Sequence, residues 1–113
     1  MDTETCTAWA DLLKAIGHPV RLLILSQMRR GPKCVKLMRE ILDVPQPNVS
    51  QHLTVLRHAG LVAFIQDGGR RCYYLARPAL VEALMTFIEG DYPNAKLTQE
   101  EVRARMGETA ASA

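Results

Sequence analysis

The sequence predicts a mainly α-helical domain with one small β-hairpin, in the order α-α-α-α-β-β-α. Apolar residues recur at helical spacing in four successive segments before Gly60. The period then changes from about 3.6 residues to 2 over residues 61–66 and 70–75, on either side of a glycine-rich turn. A chain of 113 residues is long enough for one compact core and too short for two.

Glycine and proline mark the ends of the predicted helices. The first helix ends at Gly17, and the second begins at Pro19 and stops before Gly31. A third, short helix follows, and the fourth is predicted to begin at residues 45–47, where prolines remove only amide donors that would be unpaired anyway, and to run to Gly60. Two short helices joined by a brief turn predict a helix-turn-helix.

The hairpin is followed by one long helical pattern and a tail. The helical pattern returns at Pro78, so residues 1–93 are predicted to form the folded domain. In the tail, residues 94–113, Thr98 stands three residues before Glu101, which predicts a capping box. We therefore expect a short helix there, followed by disordered small residues.

Basic residues are concentrated in the middle of the chain. Between Arg29 and Arg77 nine lysines and arginines stand against three acidic residues, and nine minus three gives +6, whereas the whole chain carries +2. This distribution fits either a solvated surface or a face that contacts the phosphates of a nucleic acid.

Membrane, secreted and enzyme classes find no support in the sequence. The apolar runs are shorter than the roughly 20 residues of a membrane span, and the acidic start differs from a signal peptide. Three scattered cysteines form no disulfide framework and predict a reducing, cytoplasmic compartment. We expect no enzyme, because no nucleophile with a positioned base, no paired carboxylates and no complete metal site stand at recognisable spacing.

Three stretches carry a more specific signal: LLKAIGHPVRLLIL at residues 12–25, VPQPNVSQHLTVLRHAGLV at 44–62 and DGGRRCYYL at 67–75. In this order and spacing they resemble the ArsR/SmtB family of transcriptional regulators, and with the helices around them they cover about residues 8–90. The resemblance implies a winged helix-turn-helix in which the hairpin is the wing. It also implies a homodimer on a palindromic operator in double-stranded DNA, with the apolar faces of the first helix and of the helix from Pro78 as the interface.

The fourth helix has the pattern that a recognition helix needs. Val49, Leu53 and Leu56 supply an apolar back for packing, and short amides and hydroxyls occupy the other faces. The resemblance places this helix in the major groove, and for His52 support of the helix packing is an equal alternative to a phosphate contact. The predicted DNA contacts are Gln46, Asn48, Ser50, Gln51, His52, Thr54 and Arg57 in this segment, with Arg70 and Arg71 at the hairpin tip.

The resemblance also implies an inducing signal, which the sequence discloses only in part. Zinc sensors of the family carry Asp and His ligands on the last helix, but residues 79–90 contain no histidine. The metalloid box of two cysteines one residue apart is half present, since Lys36 replaces the second cysteine after Cys34.

The remaining cysteines offer partners for Cys34. In some similar proteins an N-terminal cysteine of one subunit reaches the third helix of the other, and the resemblance gives Cys6 that position. It also implies that the second strand of the wing, which carries Cys72, approaches the segment before the third helix. Sensing is therefore predicted at Cys34, Cys6 and Cys72, with arsenite or another thiophilic metal ion as the favoured inducer. A redox or reactive-sulfur sensor that uses a cysteine pair, structural cysteines without a signal, and a winged-helix module that binds protein instead of DNA are the alternatives.

Overall fold

The computed structural model describes residues 1–42 and 48–112, with side chains described as far as residue 107, so the predictions that concern residues 43–47, Gln46 included, lie outside the described residues. Helices and strands follow one another in the predicted order, with a helix in the C-terminal tail as expected and with one additional strand. The elements are α1 Thr3–Ile16, α2 Pro19–Met28, β1 Lys33–Cys34, α3 Val35–Ile41, α4 Val49–His58, β2 Val62–Asp67, β3 Arg70–Leu75, α5 Pro78–Glu89 and α6 Gln99–Ser112.

The ends of α1 and α2 confirm the predicted stops and starts. The amide of Gly17 donates to the carbonyl oxygen of Leu13 at 2.8 Å and closes α1. Pro19 opens α2, and the Nδ1 atom of His18 accepts from the amide of Val20 at 3.1 Å. Proline costs nothing in a first turn, because its missing amide would have no partner there.

The start of α4 corrects the prediction of a helix that begins at residues 45–47. The first helical residue is Val49, and Asn48 is the N-cap, with its side-chain oxygen accepting from the amide of Gln51 at 3.2 Å. Asparagine satisfies an amide that otherwise has no partner in the first turn, and this role requires a non-helical backbone at Asn48 itself. The described helix therefore starts after the asparagine, and residues 45–47 lie outside the described residues.

The predicted hairpin is confirmed, and a short third strand joins it. Strands β2 and β3 pair from Val62 opposite Leu75 to Asp67 opposite Arg70, and the turn of Gly68 and Gly69 has φ values of 55° and 84°. Glycine is favoured in this two-residue turn because both positions are left-handed. Strand β1 pairs antiparallel with β3, giving the sheet order β1-β3-β2.

One core joins the helices to the sheet. Helix α4 buries one side against α2 and α3, and the sheet covers the core with Tyr73. Arg29, at the end of α2, donates to both carboxylate oxygens of Glu82 at 2.6 and 3.0 Å and so holds α5 beside α2. The most deeply buried side chains are Ile24, Leu25, Met38, Val49, Leu53, Leu56, Leu61, Val62 and Val81. The architecture is a winged helix-turn-helix, with α3 and α4 as the helix-turn-helix and β2–β3 as the wing.

The C-terminal helix has the predicted capping box. Thr98 donates its amide to the carboxylate of Glu101 at 3.1 Å, and the amide of Glu101 donates to the hydroxyl of Thr98 at 3.2 Å. The helix continues to Ser112 and is longer than the short one predicted. Its sequence is rich in Glu, Arg, Met and Ala, which are all strong helix formers. Among the described residues, every helix is too short or too polar to cross a bilayer.

Candidate nucleic-acid interface

Helix α4 presents opposite faces to the core and to solvent. Val49, Leu53 and Leu56 are at most 1% exposed and fix the helix against the domain. Ser50 and Gln51 are exposed, and together with Thr54 they line one shallow depression on the outer face. The structure thus brings three of the predicted contact residues together on one accessible face.

The polar side chains of this face differ in how many of their hydrogen-bonding groups are already used within the protein. Thr54 donates its hydroxyl to the carbonyl oxygen of Ser50 at 2.9 Å, and the side-chain oxygen of Asn48 is used by the cap. Within the described part of the chain, the hydroxyl of Ser50 and the side-chain amide of Gln51 make no hydrogen bond with the protein, whereas the backbone amide of Gln51 donates to the cap. Ser50 and Gln51 are therefore the groups with the most hydrogen-bonding capacity left for a ligand.

His52 points inward, towards the junction of α1 and α2. Its ring lies 4.4 Å from that of His18, and its Nδ1 atom is 3.3 Å from a guanidinium nitrogen of Arg21. Arg21 also donates to the carbonyl oxygens of Lys14 and Ala15 at the end of α1. Arg21, which we did not single out from the sequence, therefore ties three helices together, and a charged residue inside the apolar run of α2 was the available signal.

The surroundings of His52 predict a loss of stability in acid. Partial burial, followed by the neighbouring charges of His18 and Arg21, holds the pKa of His52 below its ordinary value. The folded state then binds fewer protons at His52 than the unfolded chain, so the contribution of this histidine to the free energy of unfolding is fully present above its unfolded pKa of about 6.5 and is lost as the pH falls towards the folded pKa. Urea unfolding between pH 8 and pH 5 measures this decrease.

A matched pair of variants assigns the effect to one histidine. We expect His52→Gln to flatten the pH dependence between pH 8 and pH 5, and His58→Gln, on the exposed side of the same helix, to leave it as in the parent protein. Equal slopes in both variants would contradict the role given to the burial of His52.

The remaining predicted contacts lie at the end of α4 and on the neighbouring wing. The guanidinium groups of Arg57 and Arg71 lie over the ring of Phe64, at 5.5 and 4.4 Å from its centre. Arg70 is exposed at the tip, opposite Asp67. Within the described residues, the Nε atom of Arg57 is buried without a hydrogen-bond partner, so this side chain is held by packing on Phe64. Phe64, which the sequence analysis did not single out, links the recognition helix to the wing.

Two of the three cysteines face each other across the sheet. Cys34 on β1 is directly opposite Cys72 on β3, and both are half-buried. Cys34 is also the N-cap of α3, since its sulfur accepts from the amide of Leu37 at 3.5 Å. Cys6 is exposed on α1. In the part of the chain that the structure describes, no group of three His, Cys, Asp or Glu side chains could hold a metal ion.

The first and fifth helices leave an apolar groove open to solvent. Leu13 and Phe87 are 57% and 63% exposed, and Trp9 is 44% exposed. The groove lies between the two helices predicted to form the dimer interface. Its lining residues are Trp9, Leu12, Leu13 and Ile16 from α1, and Leu80, Ala83, Leu84 and Phe87 from α5.

Comparison with known proteins finds similar sequences among bacterial transcriptional regulators. The sequence model of the bacterial regulatory proteins of the arsR family matches residues 18–63. The HTH-type transcriptional repressor SmtB of Mycobacterium tuberculosis is 42% identical over 73 residues, which are 65% of this chain and 54% of that protein. The biofilm growth-associated repressor of Agrobacterium fabrum is 38% identical over 84 residues, 72% of each protein.

The likeness extends to solved structures. The transcriptional repressor BigR from Xylella fastidiosa superposes with a TM-score of 0.64 at 31% identity, covering 80% of this chain and all of that one. The chain spans about half the length of the first curated relatives that it matches.

Proposed function

Because the chain belongs to the arsR family of bacterial regulatory proteins, we propose that it is a transcriptional repressor that binds double-stranded DNA. The observation that carries the proposal is the exposed polar face of α4, backed by a fully buried apolar side and flanked by the arginines of the wing. A recognition helix needs this combination, because its orientation must be fixed while its outer side chains reach base edges. A repressor acts on the chromosome, so the proposal includes a cytoplasmic location.

In this proposal the outer face of α4 enters the major groove. Ser50, Gln51 and Thr54 contact base edges, and we assign the side-chain amide of Asn48 to the same groove. Gln46, which lies outside the described residues, stays a proposed contact. Gln and Asn side chains both donate and accept, which suits adenine, whereas hydroxyls serve bases or phosphates. His52 supports the helix from behind, in keeping with its contacts to His18 and Arg21.

Arg57 at the end of α4 and the arginines of the wing supply contacts that do not depend on base sequence. We assign Arg57, Arg70 and Arg71 to phosphates, with Arg70 and Arg71 also close enough to the tip to enter a minor groove. The positive-φ glycines of the tip have no side chains, so the backbone can come close to the duplex.

The salt dependence of binding tests the role of the wing. Arg70→Ala and Arg71→Ala should each weaken binding to operator and to random DNA alike, and should each reduce the slope of log K against log salt concentration by about 1. Fluorescence anisotropy with both duplexes over a salt series measures the slope. Arg103→Ala, exposed on α6, is the matched control and should keep the parent slope; an unchanged slope in both wing variants would contradict the assignment.

Dimerisation through α1 and α5 completes the proposed DNA-binding unit. The apolar groove between these helices would be covered in a symmetric dimer. A two-fold axis then presents two copies of α4, so we expect a palindromic operator whose half-sites lie one helical turn apart.

For the signal we propose thiol-directed release from the operator, centred on Cys34. Arsenite or another thiophilic metal ion is the inducer that the sequence favours, with Cys6 of the second subunit as an additional ligand. The direct opposition of Cys34 and Cys72 is a specific observation in favour of the redox alternative. Titration of the protein–operator complex with arsenite, copper(I), zinc, an organic polysulfide and a peroxide distinguishes these signals, because release by one agent identifies its class.

A further inference from the structure

The register of the sheet places two thiols within bonding reach. In an antiparallel pair, residues directly opposite each other have Cα atoms about 4.5 or 5.5 Å apart and side chains on the same face. A disulfide requires a Cα separation of about 4.4–6.8 Å. Cys34 and Cys72 are such an opposed pair, so either kind of pairing meets the requirement without a shift of the strands.

The thiol pair lies on the outer face of the sheet. Side chains alternate along β3, so Tyr73, which is 3% exposed, faces the core and Cys72 faces the other way. Across the three strands Cys34, Cys72 and Ile65 form one row, and Ile65 is 57% exposed. A small oxidant can therefore reach the pair without opening the core.

We propose that Cys34 and Cys72 form a reversible disulfide within one chain and that this bond weakens binding to the operator. A peroxide is the oxidant: one thiol takes up an oxygen atom to give a sulfenic acid and one water, and the second thiol displaces the hydroxyl as a second water. Two thiols lose two electrons and two protons, and the peroxide bond is reduced. The readout on DNA rests on the proposed function.

The number of ligands favours this bond over a zinc-type metal centre. A tetrahedral zinc ion within one chain would need four ligands, and the described residues hold no group of three His, Cys, Asp or Glu side chains. Two opposed thiols with no third ligand match the needs of a disulfide.

The position of the pair couples it to the DNA-binding elements. Cys34 caps α3, and its sulfur must leave the amide of Leu37 to turn towards Cys72. Cys72 directly follows the wing arginines Arg70 and Arg71. The disulfide therefore removes the cap from the first helix of the helix-turn-helix and ties the arginine-bearing strand to its start.

The test uses the full reduced chain and a duplex from its own promoter. After treatment with hydrogen peroxide, peptide mass mapping under non-reducing conditions should find Cys34 linked to Cys72 in the same chain. Anisotropy should show an operator affinity lowered by about tenfold, within the usual range of coupling between two sites, and dithiothreitol should restore it. Cys6→Ser should behave as the parent protein.

Serine variants of the pair separate this inference from the proposed function. Cys34→Ser keeps a side chain that caps helices well, so Cys34→Ser and Cys72→Ser should bind the operator in the reduced state and lose the response to peroxide. Three outcomes with normal operator binding would overturn the disulfide proposal and leave the proposed repressor function intact. They are the absence of a Cys34–Cys72 link, a Cys6 link between chains in its place, and a Cys34–Cys72 link that leaves operator affinity unchanged. If arsenite protects both thiols and peroxide forms no disulfide, the pair is a metalloid site and the disulfide proposal is wrong. Absence of operator binding by the reduced protein would instead contradict the proposed function, and the mapping would still decide whether the bond forms.

Discussion

Replacing Ser50 and Gln51 together by alanine should lower the affinity for the operator by about 100-fold while leaving the affinity for random DNA nearly unchanged. Each good contact to a base edge contributes about 1–3 kcal/mol of discrimination, and non-specific binding comes from phosphates, which the arginines of the wing would still contact. Both side chains are exposed, so the fold loses no core packing. Anisotropy with operator and random duplexes at one salt concentration measures both affinities.

The chain offers a matched control for this double variant. Ser26 and Gln27 form the same dipeptide on α2 and are half-buried away from the outer face of α4. Ser26→Ala with Gln27→Ala should bind both duplexes as the parent does. An equal fall for operator and random DNA in the Ser50 and Gln51 variant, or no fall at all, would show that these residues do not read the bases.

The fold could be predicted where single residues fix the backbone. Gly17 and Pro19 mark the junction of α1 and α2, and paired glycines define the turn of the wing. These residues act through local backbone geometry, which the sequence carries directly. Strand β1 could not be found in this way, because two residues have no period and Lys33–Cys34 becomes a strand only by pairing with β3.

The sequence predicted which residue types form the candidate site, but not which way each side chain points. The polarity of Ser50 and Gln51 marked them as outward, and their exposure agrees. His52 is equally polar, but it points inward, where it contacts Arg21 and His18, which are over 30 positions away along the chain. Asn48 serves the helix cap with its side-chain oxygen, and a polar residue before a helix is as suited to capping as to reading DNA. Such choices depend on tertiary neighbours, which no local pattern contains.

The same limit applies to the cysteines. Their number and spacing exclude a disulfide framework of the secreted kind. The family resemblance offers both Cys6 and Cys72 as partners for Cys34 and does not choose between them. The pairing of β1 with β3 selects Cys34 and Cys72 and leaves Cys6 exposed on α1. A strand that periodicity cannot detect thus determines the chemistry that the thiols can perform within one chain.

The largest effect on DNA binding is expected from a charge placed in the apolar groove of α1 and α5. Leu13→Glu combined with Phe87→Glu puts two carboxylates on the proposed two-fold interface, where four negative charges would meet without partners. Both parent side chains are more than half exposed in the single chain, so the monomer should still fold. We expect sedimentation to find a dimer for the parent protein and a monomer for this variant.

Loss of the dimer should lower operator affinity far more than loss of one base contact. The second half-site is bound at the high effective concentration that the first contact creates, and such linkage contributes about 10²–10⁴-fold; we therefore expect a fall of at least about 100-fold for the Leu13 and Phe87 variant. Met106→Glu, 65% exposed on α6, controls for an added charge on an exposed apolar position and should remain dimeric with parental affinity. A dimer that persists in the double variant would exclude this groove as the interface, and a monomer with parental affinity would show that α4 and the wing act without a second copy.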